Sequence, residues 1–211
     1  PDVPPRQVWL ALLAAPLAVP SYIGAFAYFA AFGPGGEIET LTGLATPPVR
    51  GLGGAAVVMT LYTYPFVLLT TRASLRQLDG SLVDAARSLG LPLGAALWRV
   101  VLPRVRSGIA AGALLVALYT LSDFATPAIL RLDTFTRIIY VEYNAFGLDR
   151  AALLSLQLLV LVAVVLILES RVGVERETPQ RRLEISLRAG VRTGLTAVMV
   201  LVLAAALALP A

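Results

Sequence analysis

Long apolar runs separated by short polar segments occupy most of the chain. Five of them approach the roughly 20 residues that a helix needs to cross about 30 Å of hydrocarbon. They extend from Val8 to Phe32, from Leu52 to Thr71, from Ser107 to Leu130, from Ala151 to Leu168 and from Leu195 to Ala211. The pattern predicts an all-α, polytopic membrane protein with about five spans.

Residues 72–106, between the second and third runs, are too polar to cross a membrane and too patterned for a linker. Ser81 followed three residues later by Asp84 matches a capping box, which predicts a helix that begins at Leu82. At about nine residues, or about 13 Å, this helix is too short to span. Helical spacing predicts that its apolar face consists of Leu82, Ala85, Ala86 and Leu89.

A sharp bend is expected after this helix. Gly90 predicts the helix end, because glycine readily adopts the left-handed conformation that closes a helix. A second short helix is predicted from Leu93 to Val101, with its end at Pro103. Two interpretations of the elbow stay open. It either rests on lipid headgroups as an amphipathic segment or docks, through its small side chains, into a groove of another protein.

Polar side chains interrupt the end of the third run. Tyr119, Ser122 and Asp123 are candidate pathway residues, because a carboxylate inside a membrane is costly and marks a transport path by default. Asp123 lies about sixteen residues into the run, which is about 24 Å along a helix. The alternative is therefore that Asp123 simply reaches the outer interface.

Residues 133–147 read as an amphipathic helix on the outer surface, with Asp133 as its cap and Gly147 as its stop. Its apolar stripe consists of Phe135, Ile139, Tyr143 and Phe146. Such a stripe suits the headgroup zone of a bilayer. Contact with an external partner is the alternative interpretation.

The composition narrows the function classes. The chain is 58% apolar and 14% charged, against about 45–50% and about 25% in ordinary soluble domains. It contains no His and no Cys, and all 17 basic residues are Arg. Zinc sites, thiol nucleophiles and the lysine of a phosphate-binding loop are thereby excluded within these residues. We expect no catalytic residue, no metal site and no cofactor, and we expect another chain to supply energy.

The arginines are distributed unevenly between the two sides of the membrane. Thirteen fall in the segments before the first span, between the second and third, and before the fifth, and only four fall on the opposite side. Those four are Arg50, Arg131, Arg137 and Arg150. The positive-inside rule therefore places the arginine-rich side in the cytoplasm. Because the charges alternate with spans, nucleic-acid binding is not expected.

The elbow also carries a family resemblance. Its pattern resembles the EAA signature E-A-A-x3-G-x9-I-x-L-P of permease subunits of binding-protein-dependent ABC importers, with Asp for Glu and Val for Ile. The matching residues are Asp84, Ala85, Ala86, Gly90, Val100, Leu102 and Pro103. The resemblance implies a MetI-like, multi-pass permease of the bacterial inner membrane. It also implies that this loop couples to a cytoplasmic ATPase dimer, and that a periplasmic or extracellular substrate-binding protein is a second partner besides membrane lipid.

Two further strings, PLAVPSYIGAFA and SDFATPAIL with DTFTRIIY, resemble the ferric-iron branch of these permeases, in which two halves are often fused. The resemblance implies a permease domain at residues 1–169, a charged cytoplasmic linker at 170–192 and the first span of a second half at 193–211. The chain is thus expected to be a fragment. Ferric iron is the favoured cargo, with thiamine, polyamine and oxyanion as alternatives.

Two function classes compete with an importer permease. A membrane-embedded enzyme would have only carboxylates and hydroxyls for its chemistry, because the chain lacks His, Cys and Lys. A structural or channel-like membrane subunit without ATPase coupling is the stronger rival. Contact between the elbow and an ATPase distinguishes that rival from the permease.

Overall fold

The computed structural model describes residues 6–171 and 189–207. Most of the expected linker and the last residues of the fifth run lie outside them. Within these ranges the chain forms eleven α-helices: α1 Arg6–Ala14, α2 Ser21–Ala31, α3 Glu37–Thr42, α4 Gly51–Gln77, α5 Gly80–Ser88, α6 Leu93–Ala96, α7 Leu102–Ser122, α8 Ala125–Ile129, α9 Phe135–Asn144, α10 Leu148–Arg171 and α11 Ala189–Leu207.

Among the described residues, three helical stretches are long and apolar enough to cross a membrane, namely Gly51–Gln77, Leu93–Ser122 and Leu148–Arg171. A bent pair, Gln7–Ala18 with Ser21–Ala31, makes a fourth if the two parts count as one span. In α11 the stretch Thr193–Leu207 is apolar but shorter. The prediction of an all-α, polytopic fold is confirmed.

The first span is bent by 81°. A 3₁₀-helix over Ala15–Ala18 follows α1, and Val19 is extended (φ −98°, ψ 121°) before Pro20. Proline has no N–H for the helix ladder and forces the preceding residue out of the helical conformation. The chain then restarts as α2 at Ser21, so this run is two helices that meet at an angle.

The second and third spans pack closely as a hairpin, formed by α4 and α7. Gly108 and Gly112 face α4, where a Cβ on Gly112 would lie 2.5 Å from Cα of Val67 and one on Gly108 would lie 2.8 Å from the carbonyl oxygen of Thr70. Small residues allow this close approach, and tight packing drives helix association where lipid is as apolar as the side chains. The hairpin is therefore a closely fitted unit.

The third span is shorter than its apolar run predicts. The expected helix to Leu130 is wrong, because α7 ends at Ser122 and α8 is a separate short helix. Asp123 is extended (φ −74°, ψ 126°), and its Oδ1 accepts hydrogen bonds from the backbone N–H groups of Ala125 and Thr126 at 3.0 and 3.3 Å. An aspartate that caps the next helix ends the previous one.

Two buried clusters hold these elements together. The first joins α2, α4 and the end of α8 through Ala25, Tyr28, Ala55, Val58, Tyr62 and Leu130. The second packs the elbow onto the hairpin through Leu78, Val83, Ala86, Ala96, Val101 and Val105. The elbow is thus part of the folded body.

The last helix, α11, packs against the first two spans. The Tyr62 hydroxyl donates to the carbonyl oxygen of Ala206 at 2.8 Å, and the Tyr28 hydroxyl donates to that of Ala205. Ala206 is fully buried in this contact. The fifth run is therefore fixed to the body by two tyrosine hydroxyls from different helices.

Candidate functional site

The first elbow helix, α5, begins two residues earlier than predicted. Asp79 is its N-cap, and its side chain accepts a hydrogen bond from the Ser81 backbone N–H at 2.9 Å. The predicted capping box of Ser81 and Asp84 is therefore wrong. Asp79, an equally good cap residue, comes first along the chain and satisfies the helix start.

The inward face of α5 also differs from the prediction. Val83 and Ala86 are buried in the cluster with Leu78, whereas Ala85 is exposed and Leu89 is 85% exposed. The predicted face of Leu82, Ala85, Ala86 and Leu89 is thus only partly right. Contact with the hairpin, rather than the apolar spacing of α5 itself, sets the rotation of this helix.

The prediction that Gly90 ends α5 is confirmed. Gly90 has φ +86°, its N–H donates to the Arg87 carbonyl at 2.9 Å, and the Leu91 N–H donates to the Ala86 carbonyl at 3.2 Å. These two bonds form a Schellman motif, which satisfies carbonyls that the ending helix leaves unpaired. A residue with a Cβ is strained at this φ, so the turn favours glycine.

The second elbow helix does not end at Pro103, contrary to the prediction. It continues through a π-helical turn at Leu97–Val101 into α7, and the Leu102 N–H donates to the carbonyl of Leu97, five residues earlier. Pro103 lies in the first turn of α7. The wider turn accommodates the proline ring, which would otherwise clash with a helical carbonyl. The elbow and the third span therefore share one continuous helix.

A shallow groove of about 460 Å³ runs along the elbow. It is lined by Asp84, Arg87, Ser88, Gly90, Leu91, Pro92 and Leu93. Two large apolar side chains near it in sequence, Leu89 and Trp98, are 85% and 72% exposed. The elbow therefore presents both charges and apolar contact area to its surroundings.

The second candidate site is a polar cluster between the first and third spans, formed by Ser21, Tyr119, Asp123 and Thr126. The Ser21 hydroxyl donates to Asp123 Oδ2 at 3.1 Å and lies 2.9 Å from the Tyr119 hydroxyl. The Thr126 hydroxyl donates to Ser21 Oγ at 3.0 Å. Ser21 and Thr126 are buried, whereas Asp123 is half-buried and Tyr119 is exposed, so the cluster is a compact network that is accessible on its Tyr119 side.

The polar cluster also contacts α4 through Tyr119, whose side chain is 36% exposed. The Tyr119 ring packs on Phe66, near the middle of α4, with ring centroids 5.9 Å apart. Of the three residues predicted from the sequence, Tyr119 and Asp123 come together. Ser122 does not, because its hydroxyl donates to the Leu118 carbonyl of its own helix. Sequence reasoning missed Ser21, whose neighbouring Pro20 marks the break in the first span.

The helix predicted at residues 133–147 forms as α9, with different ends. Its N-cap is Thr134, whereas Asp133 forms an ion pair with Arg137. Its final turn is closed by Phe146 at φ +60°, one residue before Gly147. The predicted cap and stop are thus both wrong by one residue.

The apolar stripe of α9 is partly exposed and partly lines a groove. Phe135, Tyr143 and Phe146 are exposed. Ile139 and Tyr143 also line a groove of about 690 Å³ with α10. The Thr136 hydroxyl donates to the Asp123 carbonyl at 2.9 Å, which fixes α9 to the break after α7.

The residues matched by one protein-family model fit this architecture. The model for "binding-protein-dependent transport system inner membrane component" matches residues 3–177, which include both elbow helices and the polar cluster. The chain belongs to this family. The match ends before α11 begins, so the last described helix of this permease family member lies outside the matched domain.

Three relatives show the range of the permease family around this chain. The Fe(3+)-transport system permease protein FbpB 2 of Haemophilus influenzae is 30% identical over 151 residues, covering 71% of the chain and 27% of the relative. A probable molybdenum ABC transporter permease protein of Haloferax volcanii is 31% identical over 172 residues, covering 80% and 62%. The sulfate transport system permease protein CysW of Synechocystis is 27% identical, covering 81% and 66%. The chain spans less than two thirds of the length of each of these relatives.

Proposed function

We propose that this chain is part of an ABC importer permease whose elbow docks on a separate cytoplasmic ATPase dimer. The observation that supports docking is the outward face of α5, where Ala85 is exposed and Leu89 is 85% exposed. A large apolar side chain at the tip of a capped, well-packed helix suits insertion into a partner's groove. Asp84 and Arg87, beside it, add charged contacts that fix orientation.

The residues of the EAA pattern divide between two roles in this proposal. Asp84 and Ala85 face outward and would touch the ATPase. The others shape the elbow: Ala86 packs inward, Gly90 makes the turn, and Val100, Leu102 and Pro103 lie in or next to the π-helical turn that joins it to α7. A change at a contact residue should weaken docking, whereas a change at a shaping residue should disturb the elbow itself.

The continuity of the elbow with the third span supports mechanical coupling. The helix from Leu93 to Ser122 has 30 residues, which corresponds to about 45 Å. A displacement of the elbow by an ATPase that closes on ATP would therefore move the far end of this span. The chain lacks the lysine of a phosphate-binding loop, so the energy for that step comes from the partner.

Ferric iron is the proposed cargo, delivered by an external substrate-binding protein. The proposal is supported by the ferric-iron relative named above, which is 30% identical over 151 residues. Fe(III) is a hard cation that prefers oxygen ligands, so a pathway without His or Cys suits its passage. An oxyanion is the runner-up, because another relative is named for sulfate.

The domain organisation completes the proposal. Residues 1–169 would form one permease half, 170–192 a cytoplasmic linker, and 193–211 the first span of a second half. The family match ends at residue 177, before α11. The ferric-iron relative is also far longer than this chain, since 151 residues are only 27% of it.

Photo-crosslinking tests the docking proposal. The chain has no native Cys, so an Ala85→Cys variant of the full permease can carry a single benzophenone label beside the co-expressed ATPase, once any cysteine outside residues 1–211 is replaced. We expect a permease–ATPase adduct whose yield changes with nucleotide. Ala86→Cys is the matched control, because the Ala86 side chain is only 7% exposed and packs inward.

The absence of an Ala85 adduct in every nucleotide state, with transport intact, would rule out docking through this face. That result would favour a membrane subunit without ATPase coupling. ATP-dependent uptake of radioactive Fe(III) citrate or radioactive sulfate into membrane vesicles tests the cargo. Uptake of sulfate but not of iron would replace the first choice with the runner-up.

A further inference from the structure

We infer that the polar cluster of Ser21, Tyr119, Asp123 and Thr126 is a latch between the first and third spans. It is closed in this structure and would part when the transport path opens. The inference rests on the proposed function for the source of the motion. It assigns to Tyr119 and Asp123 a gating role at the contact between the first and third spans.

The latch lies where two broken spans meet. Ser21 is the first residue of α2, directly after the 81° bend. Asp123 is the residue at which α7 ends, and its Oδ1 caps α8 through the N–H groups of Ala125 and Thr126. Helix breaks supply the changes in backbone angle that hinge motions require. The latch therefore ties together two of the bends in the described bundle.

The chemistry of the latch makes it a two-state element. Both carboxylate oxygens of Asp123 accept hydrogen bonds, Oδ2 from Ser21 and Oδ1 from the start of α8. Inside a membrane, polar groups that separate must find other partners, and lipid offers none. Parting Ser21 from Asp123 and Thr126 thus requires water between the spans. Latch opening and the opening of an aqueous path are consequently the same event.

The latch is also connected to the elbow. Tyr119 is in the last turn of the helix that begins at Leu93, so one continuous helix joins the proposed docking surface to the latch. Gly112 holds this helix against α4 with a backbone approach that admits no Cβ. Coupling needs a two-state element that both sites bias, and the latch at one end of this helix provides it.

A cysteine pair tests the latch directly. The hydroxyl oxygens of Ser21 and Thr126 are 3.0 Å apart, so Ser21→Cys with Thr126→Cys brings two sulfur atoms within reach of a disulfide. The full permease, with other cysteines replaced, is reconstituted with its ATPase. Disulfide formation is timed under copper-phenanthroline without nucleotide and with ATP and vanadate. Each single-cysteine variant is the control for intermolecular bonding.

We expect the nucleotide-trapped complex to form the disulfide at least about fivefold more slowly, the lower end of ordinary coupling between sites. Transport should be lost on oxidation and restored by a reductant. If the Ala85 label crosslinks to the ATPase but the disulfide rate is the same in both states, the latch is overturned and docking stands. If no crosslink forms in any nucleotide state and the disulfide rate does not respond to nucleotide, both proposals are overturned.

A milder variant covers the case in which the cysteine pair misfolds. Tyr119→Phe removes one hydroxyl from the latch and should raise basal ATP hydrolysis about fivefold, the shift that one net hydrogen bond corresponds to. Ser155→Ala is the matched control, because the Ser155 hydroxyl donates within its own helix to the Ala151 carbonyl at 2.8 Å. Equal ATPase rates for the two variants would contradict the latch.

Discussion

The turns after α5 and after α9 close with the same pair of backbone hydrogen bonds but with different residues at the left-handed position. Gly90 occupies that position in the first turn, at φ +86°. Phe146 occupies it in the second, at φ +60°, although Gly147 is next to it. Glycine takes this conformation freely, whereas a side chain at positive φ costs about 1–2 kcal/mol.

The difference between the two turns shows when a helix end needs the conformational freedom of glycine. At Gly90 the reason is the backbone angle. At Gly147 neither the angle nor space requires glycine, because its φ is not positive and a Cβ there would meet chiefly the flexible end of the Glu142 side chain. The 91% exposed Phe146 is left with the strained conformation. Strain of this kind marks a place where another contact can compensate, and an interface anchor at a membrane surface is one such contact.

The largest expected loss of stability tests the packing of the α4–α7 hairpin. In the chain, α4 precedes the Gly90 turn and α7 precedes the Phe146 turn. Gly112→Val would place side-chain atoms into the backbone of Val67 and should destabilise the permease by about 3 kcal/mol, as severe overpacking does. Thermal unfolding in detergent measures it. Gly53→Ala is the control, because a Cβ on Gly53 meets nothing within 4 Å. Equal midpoints for the two variants would mean that the spans do not pack this closely.

Gly90→Val tests the glycine turn. A β-branched side chain at φ +86° should cost about 2 kcal/mol and should reduce the Ala85 crosslink to the ATPase. Hydrogen exchange of α5 amides reports the loss of the elbow. Gly94→Ala, in open space and without a positive φ, should leave exchange unchanged. Protection of α5 in the valine variant would show that the turn is not held by Gly90.

A smaller effect compares the observed cap of α5 with the one that the sequence pattern suggested. Asp79→Ala removes the acceptor for the Ser81 N–H and should destabilise the elbow by about 1 kcal/mol. Ser81→Ala should stay within about 0.5 kcal/mol. Exchange rates of the first α5 amides distinguish the two. A larger loss for Ser81→Ala would restore the capping box.

The smallest expected effect is a gain in stability, at the turn after α9. Phe146→Gly should stabilise the turn by about 0.5 kcal/mol, because relief of about 1–2 kcal/mol of strain is offset by the greater backbone entropy of glycine. The thermal midpoint in lipid nanodiscs measures it. Destabilisation instead would show that the Phe146 ring makes contacts, with lipid or a partner, that outweigh its strain.

Local features of this protein were predictable. The Gly90 turn follows from one residue's conformational freedom, and the spans follow from the lengths of the apolar runs. The contact between Asp123 and Ser21 was not predictable, because the two residues are 102 positions apart in the chain. The sequence also did not predict that the helix continues past Pro103. A π-helical turn at Leu97–Val101 accommodates it, and apolar periodicity does not reveal such a turn.

The sequence by itself determined that this protein is helical, lies in the membrane and resembles importer permeases, because apolar length, arginine placement and a spaced motif are all properties of the chain. Only the tertiary structure decided that Ala86 faces inward while Ala85 faces outward, and that Ser21 meets Asp123. Apolar spacing identifies residues that share a helix face, but not the face that a neighbour covers. In a membrane lipid and protein are similarly apolar, so only packing and polar contacts distinguish them.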